Sequence, residues 1–138
     1  MIRSDVVRVF QEADLEKIRP REEDTDRDLG VFTQCLSYTF YDGEQIVAIM
    51  GSVEINQQTC EVFAVFDECA ERYKRRIFEY ARWLLARIND HYARLQAIVR
   101  TDWTRGRRFL ELLGFVHEGV LQAFGPGGSD YSIYARVK

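Results

Sequence analysis

One stretch constrains this chain more than any other. Residues Thr59–Phe66 (Thr-Cys-Glu-Val-Phe-Ala-Val-Phe) are rich in β-branched and aromatic side chains and read as a strand. The chain then enters Glu71-Arg72-Tyr73-Lys74-Arg75-Arg76, with four cations among six residues. An apolar stripe follows at Tyr73, Ile77, Tyr80, Ala81, Leu84 and Ile88. Its spacings of three and four predict one long helix over 71–91, with Phe78, Trp83, Leu85 and Tyr92 broadening the buried face. Where a strand feeds directly into a helix, backbone N–H groups and the positive end of the helix dipole meet, and anionic ligands dock there. The cations at this joint add to that pull.

The flanking segments fix the context. Asp42-Gly43 and Asn56-Gln57-Gln58 are turn sequences, so 36–41, 45–55 and 59–66 form an antiparallel meander. Beyond the helix, Leu95, Ala97 and Val99 share one face of a buried strand over 95–101, with Ile98 on the other. A strand, a helix and a strand in that order make a crossover, so 59–66 and 95–101 are expected to be parallel. A shorter helix over 104–113 closes on Gly114 as a left-handed cap. Strands over 115–123 and 131–137 flank Gly125-Pro126-Gly127-Gly128. The amino-terminal third holds a strand over 5–10, a short helix over 11–18 stopped by Pro20, a charge run over 21–28 read as exposed, and a second helix over 29–35. The expected fold is α/β: a mixed sheet of about seven strands with about four helices, in one domain over 1–138.

Composition narrows the function classes. With 46% apolar and 13% aromatic residues, the chain can build a core, and disorder throughout is excluded. No apolar run approaches the roughly 18 residues of a membrane span, and the amino terminus lacks a signal peptide's apolar core. Cys35, Cys60 and Cys69 fit no disulfide or zinc spacing, which points to a reducing, cytoplasmic setting, and two histidines make a metal site unexpected. The net charge of −3 conceals a split: residues 1–68 carry 15 acids and 6 bases, residues 69–138 carry 7 and 13. The basic second half suits a compact anionic ligand. The acidic whole, with a pI near 5.5, argues against nucleic acid.

The element order, together with Trp103-Thr104-Arg105-Gly106-Arg107-Arg108-Phe109-Leu110-Glu111-Leu112-Leu113-Gly114-Phe115 and the following Glu118-Gly119-Val120-Leu121, resembles the GCN5-related N-acetyltransferase (GNAT) superfamily. The order covers nearly the whole chain; the residue match covers about 20 positions. The resemblance implies an N-acyltransferase that uses acetyl-CoA, or another acyl-CoA, on an amine acceptor. It also implies that the coenzyme's pyrophosphate lies at the joint described above, wrapped by a glycine-bearing loop. Aligned on Ile77-Phe78, that loop falls on 69–74, and its two glycine positions carry Arg72 and Lys74. Two readings stay open: the cations of Arg72, Lys74 and Arg75 replace backbone donors as a side-chain clamp, or the site is a relic.

The same resemblance implies that Val65, Phe66 and Trp103 line the coenzyme and that Arg105 and Arg108, with Arg107, reach its 3′-phosphate. Glu61 is the first candidate for the general base, because it shares a strand face with Phe63 and Val65, an apolar wall that raises a carboxylate's pKa. Glu54 is the reserve. The family's acid, a tyrosine four residues before the glycine of Gly114-Phe115, falls on Leu110; Tyr131 and Tyr134 are substitutes. His117, near a strand start, and Cys69, as a thiol of lowered pKa at a helix start, are lesser candidates. A fainter resemblance, resting on the glycine-poor joint and the helix leading to Gly114, is to acetyltransferase-like proteins of tailed bacteriophages. It implies a catalytically inactive virion or interaction protein, located in the host cytoplasm or the virion. A homodimer or virion proteins are the macromolecular partners these resemblances leave open.

Overall fold

The computed structural model describes residues 6–21, 31, 32 and 34–138. Its strands are β1 (Val7–Val9), β2 (Leu36–Asp42), β3 (Gln45–Asn56), β4 (Thr59–Phe66), β5 (Arg94–Arg100), β6 (Val116–Leu121) and β7 (Tyr131–Val137). They form one sheet in the order β1-β2-β3-β4-β5-β7-β6. Every neighbouring pair is antiparallel except β4 and β5. The α/β expectation and its mixed seven-stranded sheet hold. Three α-helices accompany the sheet among the described residues: α1 (Asp14–Lys17), α2 (Lys74–Ile88) and α3 (Thr104–Leu112). Of the helix expected over 29–35, residues 29, 30 and 33 lie outside the described residues, as does the charge run from 22 to 28. None of the described helices is long and apolar enough to cross a membrane.

The helix expected over 71–91 is shorter at both ends. Residues Glu68–Tyr73 form a 3₁₀ turn instead, capped by the Asp67 side chain, which accepts from the Cys69 N–H at 2.9 Å. Tyr73, at φ −123°, breaks the helical path, and α2 starts after it. Its apolar stripe then behaves as the periodicity demands, burying Ile77, Tyr80, Ala81, Leu84, Leu85 and Ile88. The first half of the stripe meets Phe40, Val47, Met50 and Phe66; the second half meets Leu95, Ala97, Val99 and Phe115. A third cluster of Ile18, Phe32, Ile46, Ile49 and Val65 completes the core.

Two buried aspartates fasten the amino-terminal residues to the sheet. Asp14 takes a two-pronged bond from Arg8, the Thr39 hydroxyl at 2.7 Å and the Gln11 N–H at 2.9 Å. Asp67 takes the Arg19 N–H at 2.8 Å and the Arg19 guanidinium at 3.1 Å, besides its cap on Cys69. With the Arg21 N–H donating to the Phe66 carbonyl at 3.2 Å, residues 19–21 are strapped across the carboxyl end of β4. For both aspartates burial alone would raise the pKa; the hydrogen bonds outweigh it and hold each carboxyl below its ordinary range.

Candidate functional site

The site begins where the parallel ladder stops. β4 and β5 pair at only three positions, Thr59 with Arg94, Cys60 with Leu95 and Glu61 with Gln96, although both strands run on. Past that vertex, side chains of Val62, Ala64, Ala97, Val99, Leu110 and Leu113 enclose an apolar cavity of about 90 Å³. A second, larger hollow of about 540 Å³ lies between the Glu68–Tyr73 turn, the start of α2 and α3. Phe66, Trp103, Gly106 and Phe109 line both.

Trp103 dominates that shared wall. Its ring centroid lies 6.0 Å from that of Phe66, and the Arg21 guanidinium sits 5.8 Å from it on a cation–π path. The indole lies so close to α3 that a Cβ on Gly106 would come within 2.6 Å of it and within 2.9 Å of Val99. A glycine inside a helix costs up to about 1 kcal/mol against alanine, and here it provides the room for the indole. The Trp103 Nε1–H is buried and meets no acceptor among the described residues.

The larger hollow is a cationic groove. Arg21, Lys74, Arg75, Arg105 and Arg108 line it, and Glu71 is its one acid among the described residues. Arg21 reaches Glu71 Oε1 at 3.3 Å, Lys74 reaches Oε2 at 3.1 Å, and Arg105 also pairs with Oε1. Arg75 and Arg108 have no ion pair among the described residues.

Six of the eight residues expected around the coenzyme gather here: Phe66, Lys74, Arg75, Trp103, Arg105 and Arg108. Val65 does not; it is buried with Ile18, Phe32, Ile46 and Ile49. Arg72 is exposed, lies 5.8 Å from the Tyr73 ring, and is not part of the groove's lining. The candidate base, Glu61, stands at the vertex, where its Oε1 accepts from Gln96 Nε2 at 2.8 Å. Glu54 is exposed and accepts from the Tyr92 hydroxyl at 2.9 Å. Tyr134 is fully buried, its hydroxyl held between Arg107 and Glu111 at 3.1 Å each, with His117 packed 5.1 Å from its ring. Cys69 corrects the sequence reading: burial, then its hydrogen bond to Asp67, push the thiol up to about 11 rather than down. Sequence reasoning missed Arg21, whose partners are about 50 and 80 residues away. It also missed the role of Gly106, although a glycine inside a predicted helix was a signal worth following.

No protein-family model matches this chain, and no curated protein does. Solved structures do. A GNAT-family acetyltransferase from Bacillus anthracis superimposes with a TM-score of 0.73 at 17% identity, over 95% of this chain and 93% of that one. The chain has the GNAT fold. Ard1 from Thermoplasma volcanium gives a TM-score of 0.76 at 15% identity, over 95% of each chain. The microcin C7 self-immunity acetyltransferase MccE, solved with acetyl-CoA and AMP, gives 0.65 at 19% identity, over 79% of this chain and 64% of that one. In this GNAT fold the cationic groove lies where β4 passes into α2, and the cavity lies in the wedge between β4 and β5.

Proposed function

We propose that this chain binds an acyl-coenzyme A thioester and transfers the acyl group to an amine. The supporting observation is the junction of an apolar cavity with a cationic groove through one shared wall, which matches a ligand made of an uncharged arm and a polyphosphorylated head. Lys74, Arg75, Arg105, Arg108 and Arg21 suit the phosphates, and the Trp103 Nε1–H is a buried donor that still lacks an acceptor. The bound coenzyme supplies the activated thioester. Glu61 Oε2, with Oε1 anchored by Gln96, takes the proton from the incoming amine. Leu110 cannot donate a proton, and the Tyr134 hydroxyl donates to Glu111, so neither of these side chains would protonate a leaving thiolate.

The cavity, at about 90 Å³, is smaller than the roughly 300–1,000 Å³ of typical ligand sites. Trp103 must therefore move to admit the arm. That same indole favours a second reading, in which the GNAT fold is kept for binding or interaction without turnover. Calorimetric titration with acetyl-CoA separates them. We expect binding of about micromolar strength, weakened about tenfold by Lys74→Ala or Arg108→Ala, each removing one charge-assisted contact. Thiol release with a panel of amines then marks an enzyme, and binding without release marks the second reading. Absence of binding at millimolar ligand overturns the coenzyme reading altogether.

A further inference from the structure

The cationic groove contains its own anion. Among the described residues, Glu71 is the single acid in its lining, and three of the five lining cations converge on it: Arg21 at 3.3 Å, Lys74 at 3.1 Å, and Arg105. Arg75 and Arg108 flank this cluster without an ion pair among the described residues. We propose that Glu71 is an internal competitor for the groove's ligand: its carboxylate stands where one phosphate of a polyphosphorylated ligand sits, and binding displaces it from Arg21, Lys74 and Arg105. The proposal rests on the coenzyme reading above for the ligand's identity, but not for its chemistry, since any diphosphate would serve.

Three features support displacement over a fixed scaffold. All three partners hold Glu71 through the ends of long side chains, which can turn to another oxyanion with little rearrangement. The Glu71 side chain is 38% exposed, so the pairs form in contact with water and are individually weak. Arg75 and Arg108 hold no ion pair among the described residues, and a diphosphate with a further phosphate can engage them as well as gain bidentate contacts to arginine. Arg21 connects the cluster to Trp103 through its cation–π contact. Displacing Glu71 therefore removes one of the contacts of Arg21, the residue that lies over the indole.

Calorimetry tests this with two probes, coenzyme A and inorganic pyrophosphate, on the full chain and on Glu71→Gln, which removes the charge and keeps the size. Glu79→Gln on the exposed side of α2 controls for overall charge, and circular dichroism verifies that each variant is folded. Glu71→Gln is expected to bind both probes about tenfold tighter, the gain open to a ligand that no longer displaces an anion, while Glu79→Gln matches the parent. Unchanged or weaker binding of both probes by Glu71→Gln overturns the proposal, because Glu71 then organises the cations rather than competing for them. If only pyrophosphate binds, and does so more tightly to Glu71→Gln, the competitor role stands and the coenzyme reading falls. If neither probe binds either protein, both fall.

Discussion

Asp67 and Glu71 are one helical turn apart and carry the same charge, yet the fold uses them in opposite ways. Asp67 is fully buried, and its donors include two backbone N–H groups, those of Arg19 and Cys69. Glu71 is part-exposed, and its three cations sit at the ends of flexible side chains. A carboxylate held by main chain in a dry place cannot change partners without unfolding something. A carboxylate held by long side chains in contact with water can. Counting ion pairs would rank the two alike; the nature of the donors separates them.

Removing the Asp67 carboxylate should break that contrast most visibly. Asp67→Ala strands the Arg19 guanidinium and two backbone donors, and is expected to lower stability by about 3–5 kcal/mol in urea unfolding. A loss under about 1 kcal/mol would put Asp67 in the same class as Glu71. Acid should sharpen the contrast. Since Asp14 and Asp67 are held below their ordinary range when folded, their contribution is complete above the ordinary aspartate pKa of about 3.9. It drains away as the pH falls below that value toward the lowered folded values. Unfolding curves between about pH 6 and about pH 3 should show this decline, and it should be shallower in Asp67→Ala. The smallest effect is expected from Glu71→Gln, which should change stability by under about 1 kcal/mol in the same urea experiment, whatever it does to ligand affinity. A large stability loss there would recast Glu71 as a second lock.

Much of the fold was legible because its signals are local. The 3.6-residue stripe of α2, the turns at Asp42-Gly43 and Asn56-Gln57-Gln58, and the Gly114 cap each depend on residues a few positions apart. The β2–β3–β4 meander followed from those turns, and the parallel pairing of β4 with β5 from the crossover rule. The site was legible only in part. Lys74, Arg75, Arg105 and Arg108 were found because they cluster near helix starts. Arg72 belongs to the same cluster and misses the groove, because the Asp67-capped turn sets its direction and the sequence reading had continued the helix through it. Arg19 finds Asp67 across 48 positions, and Arg105 finds Glu71 across 34. Pairings over such distances follow from the assembled fold and leave no periodic trace. Cys69 went astray for the same reason: helix-start position suggested activation, and burial beside a carboxylate does the reverse.

The three-rung ladder between β4 and β5 has a consequence for redesign. The two halves of the sheet are joined by those three rungs alone, the last at Glu61 and Gln96. What lies in the wedge is then a matter of a few side chains, here chiefly Trp103 on the bed that Gly106 provides. Exchanging that filler alters which molecules the interior admits while every other rung of the sheet stays in place. The scaffold behaves as a holder with a replaceable insert.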